Sequence, residues 1–174
     1  MAEAPTDIAV LLDVLENVEA AMAELYTWLA RALVQDPEAA GFFADMGRDE
    51  LRHRDLVQFQ RQLVTKSRGA FGSVKADTAA MKTVVERVRA FQRDTPNPSL
   101  HQALVFVLEL ENNAAETHYR TAISESSPTM ARFINSLAKA DEHHAETLHQ
   151  FARKRGVFLE WPTTSAASPR GSPD

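Results

Sequence analysis

The chain predicts an all-α fold: four long helices in two antiparallel pairs, with a long connection that carries a short extra helix. Three observations lead there. Apolar residues recur every three or four positions through most of the chain. Helix starts are written as a capping residue followed by Pro, at Asp36-Pro37-Glu38 and again at Ser126-Ser127-Pro128. Sustained apolar/polar alternation, the mark of a half-buried strand, is nearly absent, and only 6 of 174 residues are Gly.

The first helix starts near Thr6 or Asp7 and carries Ile8, Leu11, Leu12, Leu15, Val18, Met22, Leu25, Leu29 and Leu33. The second starts at Asp36-Pro37 and runs through Phe42, Phe43, Met46, Leu51, Leu56, Phe59 and Leu63, fading near Lys66-Ser67-Arg68-Gly69. Residues Gly69 to Val74 read as a loop. Ala76 to Arg93 is a shorter amphipathic segment, with Met81, Val84, Val85, Val88 and Phe91 on one side. Asp94-Thr95-Pro96-Asn97-Pro98-Ser99 breaks it. The third long helix spans about Ser99 to Ile123. The fourth carries Met130, Phe133, Ile134, Leu137, Leu148 and Phe151, with Gly156 as its C-terminal cap. Within the pairs 7–65 and 99–155 the connections are short, so paired helices are antiparallel neighbours. About 35 residues intervene between the pairs, enough to cross the bundle from end to end. Residues 1–160 are expected to form one domain, and 161–174 a tail of disordered composition.

Composition removes whole classes of function. With no Cys there are no disulfides, zinc–thiolate sites, iron–sulfur clusters or Cys nucleophiles. A net charge of −5 with no basic stripe argues against nucleic acid as a partner. No apolar run approaches the roughly 20 residues of a membrane span. Glu3 and Asp7 near the start, with no basic residue ahead of an apolar stretch, argue against a signal peptide, and a cytoplasmic location is expected.

One phrase is written twice. Glu50-Leu51-Arg52-His53 and Asp141-Glu142-His143-His144 each place an acid three residues before a His, in matching apolar surroundings. On a helix the two side chains share a face. Two such pairs on facing helices, with a carboxylate from each of two other helices, can hold two metal ions. A single acid-x-x-His arises by chance on charged helices; a repeat in register is much less open to that reading. From the first helix, Glu19 is the candidate, because it sits among Leu15, Val18, Met22 and Tyr26, while Glu16 and Glu24 project further towards solvent. From the third helix the candidate is Glu111, which lies 30 residues before Asp141 as Glu19 lies 31 before Glu50. If Tyr119 instead marks the register, Asn112 holds that position. Carboxylate and imidazole donors suit iron or manganese better than soft metals.

These residues resemble the ferritin-like family, in particular its rubrerythrin-type branch. The features that carry the resemblance are Glu19 followed seven residues later by Tyr26, Leu29-Ala30 after it, and Glu50-x-x-His53; a looser copy lies in 99–155. The resemblance implies a ferritin-like four-helix bundle with metal ligands Glu19, Glu50, His53, Glu111, Asp141 and His144. It implies two iron ions as cofactor, with manganese the alternative, and an oxidoreductase acting on peroxide, oxygen or ferrous iron. Tyr26 and His118 are expected to support the ligands, and Tyr26 can supply an electron or a proton. Asp141 replaces the usual Glu, and the Cys-x-x-Cys module of many rubrerythrins is absent, so an external electron donor is required. A homo-oligomer, dimer or larger, is expected. The competing expectation is a metal-free bundle that keeps ligand-like residues and acts as a binding or scaffold protein.

Overall fold

The computed structural model describes residues 5–66, 73–75, 78–111 and 143–157. In chain order these form β1 (Pro5–Asp7), α1 (Ile8–Ala32), α2 (Pro37–Lys66), β2 (Ser73–Lys75), α3 (Thr78–Asp94) and α4 (Leu100–Glu111). A last helix, α5, occupies 143–154. The protein is an all-α bundle, as its apolar spacing requires. Among the described residues no helix is long and apolar enough to cross a membrane.

The helix ends are set by local chemistry. Asp7 caps α1, its carboxylate accepting from the Ala9 amide at 2.7 Å. Asp36 caps α2 by accepting from the Ala39 amide at 3.1 Å, and Pro37 takes the first helical position, where no N–H is needed. Ser99 and Gln102 form a reciprocal capping box at the start of α4. Past the end of α5, Gly156 adopts φ 71, and the Val157 amide reaches back to the Ala152 carbonyl at 2.9 Å. That left-handed turn suits a residue without Cβ.

Helix α1 begins at Ile8 with Asp7 as its N-cap, as expected of a start near Thr6 or Asp7, while Thr6 belongs to β1. One expectation is corrected. Ser73 and Val74, expected in a loop, lie in β2, which pairs antiparallel with β1 as Pro5↔Lys75, Thr6↔Val74 and Asp7↔Ser73. A ladder of three residues is held by backbone hydrogen bonds in tertiary context and needs no side-chain alternation. Along α2, Leu51, Leu56, Phe59 and Leu63 are exposed, while Phe43, Met46, Val57 and Val64 are buried. Residues 112–123, 130–142 and 161–174, including Asn112, His118, Tyr119 and Asp141, lie outside the described residues.

The buried apolar residues form two clusters. The larger takes α1 from Met22 onward, α2 up to Met46, the inner face of α4, and Leu148 and Phe151 of α5. The smaller takes α1 from Ile8 to Leu15 with Val57, Val64 and Met81. Between Leu15 and Met22 on α1 sits Glu19; between Met46 and Val57 on α2 sit Glu50 and His53. A layer of buried ionisable groups therefore separates the two apolar clusters.

Candidate metal centre

Glu19, Glu50, His53, Glu111 and His144 are all buried, each 7% exposed or less. Burying so many ionisable groups is unfavourable unless each is paired or holds a cation. The helices bring them in as their spacing requires. Glu50 and His53 are one turn apart on the inner face of α2. Glu19 comes from the facing stripe of α1, and His144 from the first turn of the described part of α5.

Glu50 is the centre of the arrangement. Its Oε1 lies 3.2 Å from His144 Nδ1 and its Oε2 3.4 Å from His53 Nδ1. His53 Nδ1 also faces Glu19 Oε2 at 3.7 Å. The two imidazole rings lie 4.9 Å apart. Burial pushes the Glu50 carboxyl up, yet the nearby His144 and His53 imidazoles and Glu19 outweigh it and hold it down at about 2. Glu50 is thus kept as a carboxylate, the form that binds a cation.

The donor set fits a metal ion. Donor atoms of Glu50, His53 and His144 lie within 4.8 Å of one another, the one such group of three among the described residues. Two donors at about 2.1 Å from one ion sit roughly 3.0–3.4 Å apart for angles near 90–110°, the range of the two Glu50–His pairs. His53 Nδ1 is buried and has no hydrogen-bond partner among the described residues, although two carboxylates face it. A buried imidazole nitrogen that faces carboxylates without hydrogen-bonding them is satisfied by a cation placed between them.

Glu111 falls outside that group of three. It accepts a hydrogen bond from the Tyr26 hydroxyl at 2.6 Å, in a pocket where Tyr26 is fully buried and stacked on Phe43. The sequence placed Tyr26 beside the ligands, and it meets one of the candidates. Asp49 was missed. It lies 4.0 Å from His144 Nε2 and is ion-paired with Arg52. The signal was its position: the residue before Glu50 is turned about 100° round the helix, towards the neighbouring α5. At that distance the Asp49 carboxylate adds negative charge on the far side of the His144 ring without a hydrogen bond to it.

Gly47 allows the close approach of α1 and α2 at this level. A Cβ there would lie 3.2 Å from Thr27 Oγ1 and 3.4 Å from the Ala23 carbonyl. No protein-family model, curated protein or solved structure matches the chain.

Proposed function

We propose that the protein is a non-haem di-iron redox protein of rubrerythrin-like type, which reduces peroxide or dioxygen or oxidises ferrous iron. The observation that carries this reading is one buried carboxylate, Glu50, facing a His from each of two helices with its two oxygens. Glu19, Glu50, His53 and His144 would hold the metal, with Glu111 and Asp141 completing the set. Iron held by these residues would supply one electron per ion to the reduction of an O–O bond. The remaining work falls to the chain. The helices exclude water from the ligands. Asp49 places a negative charge beside the outer nitrogen of His144. Tyr26 holds a proton at Glu111 Oε1, where it can be passed to reduced oxygen. With no Cys in the chain, a separate donor must return the electrons.

The test is anaerobic titration of the metal-free protein with ferrous iron, followed by excess hydrogen peroxide. Close to two ions per chain should bind, and Glu50→Ala should abolish stoichiometric binding. The loaded protein should be oxidised once and then stop until an electron donor is added. If ferrous iron restores turnover and mineral accumulates, the activity is ferroxidase. Sustained peroxide loss with oxygen release and no donor, from protein loaded with manganous ion instead, indicates a catalase-like manganese centre. No binding above the Glu50→Ala control removes the metal reading and leaves a metal-free bundle.

A further inference from the structure

The outward face of α1 is the floor of a valley. That floor is built mostly of short side chains, Ala20, Ala23 and Thr27 among them, while longer ones rise from α2 and α3. The valley has two lobes of about 370 Å³ each, which meet at Ala20 and Glu24. Either lobe has the size of a small-molecule site.

The lobes differ in chemistry. One is lined by Trp28, Gln92, Arg31 and Arg54. Trp28 is half-buried and packs on Phe91, with ring centroids 6.0 Å apart and planes at 85°. An indole already held by a neighbour offers a flat surface at little further cost in side-chain entropy. The other lobe is lined by Lys82, Arg89 and Glu86. Lys82 and Arg89 are exposed and seven residues apart, two turns along one face of α3. Arg31, Lys82 and Arg89 have no ion-pair partner among the described residues, and Arg54 has only its neighbour Asp55. Four cations against two acids, Glu24 and Glu86, thus line a valley in a chain of net charge −5. Uncommitted positive charge next to a tryptophan suits an anion carried on a flat ring. Glu24, where the lobes meet, can accept hydrogen bonds from sugar hydroxyls.

We propose that this valley binds a nucleotide with at least two phosphates. The base stacks on Trp28 with its edge on the Gln92 amide, the ribose lies at Glu24, and the phosphates lie along Arg89 and Lys82. The site is on the outside of α1 and needs no metal at Glu50. The test is isothermal titration of the full chain with ADP, UDP, adenosine and pyrophosphate. At least one of the two nucleotides should bind once per chain, with pyrophosphate about tenfold weaker for want of the stacked base. Adenosine, which lacks the phosphates, should also bind more weakly. Trp28→Leu should weaken the nucleotide roughly tenfold and leave pyrophosphate unchanged. Lys82→Ala with Arg89→Ala should weaken both. Trp28→Leu also removes the contact with Phe91, so the exposed Lys82/Arg89 variant keeps the test decisive if that protein fails to fold. Binding by neither nucleotide overturns the proposal, as does nucleotide affinity that survives the loss of Lys82 and Arg89. Pyrophosphate bound as tightly as the nucleotides overturns it too, since the valley would then be a charged patch with no place for a base.

Discussion

Glu50 meets two imidazoles with one carboxylate, and the side chains around it can be ranked by what each touches. Asp49 places a charge 4.0 Å from the His144 nitrogen turned away from Glu50. Asp49→Asn keeps the shape and removes the charge, and should weaken metal binding by up to about 10-fold, the low end of the effect of losing a carboxylate behind a His ligand. Isothermal titration of the variant checks it, and unchanged affinity would mean that this charge plays no part. Tyr26 is tested without metal. Tyr26→Phe deletes a 2.6 Å hydrogen bond to a buried carboxylate. The loss should be about 1.5–3 kcal/mol in denaturant unfolding of the metal-free protein.

At the scale of elements, the start of α2 is fastened to the end of α5. Arg155 bonds Asp36 and Glu38, Lys154 pairs with Glu38, and the Arg155 guanidinium lies 5.7 Å over the Phe151 ring. The guanidinium beside Asp36 holds its carboxyl below the usual value, helped by the Ala39 amide. A folded-state pKa below that of the unfolded chain stabilises above the unfolded value, and the gain disappears as pH falls through the folded one. Asp36→Asn keeps a good cap but loses the ion pair. The variant should therefore be less stable than the parent above about pH 5, and the difference should shrink as pH falls below the ordinary Asp value of about 3.9, as followed by thermal melting across that range.

These same elements show what the sequence made legible. Asp7, Asp36, Ser99 and Gly156 announce helix ends because a cap is a local event. Glu19 and Tyr26 were legible because they share the apolar stripe of α1. The β1–β2 ribbon was not, since three backbone pairs leave no periodicity. The exposure of Leu56 and Phe59 was not either: apolar spacing reports that a face is covered by something, without saying by which element. Asp49 escaped because a carboxylate beside a ligand looks like one more charge on a charged helix until α5 is laid against it.

For the whole molecule, ligand binding and stability are linked. An ion that binds only the folded chain adds RT ln(1 + [L]/Kd), about 2.7 kcal/mol at a hundred times Kd. For a chain of this size that is roughly 5–10 °C in melting temperature. Ferrous or manganous ion should raise the parent's transition by that order, a chelator should reverse it, and Glu50→Ala should show neither response in a calorimetric scan.

The layer of acids and histidines between the two apolar clusters has a mechanical meaning. Each end of the bundle has its own grease, while the plane between them is held by groups that repel or attract according to what sits among them. Such a plane is a natural line of fracture. Without a cation the two ends can open as separate cooperative units, so amide exchange in Ile8–Leu15 of α1 should run ahead of exchange in Met22–Leu29. A cation that ties Glu19, Glu50 and His144 together rivets α1, α2 and α5 across that line, and exchange at the two ends should then merge into a single rate.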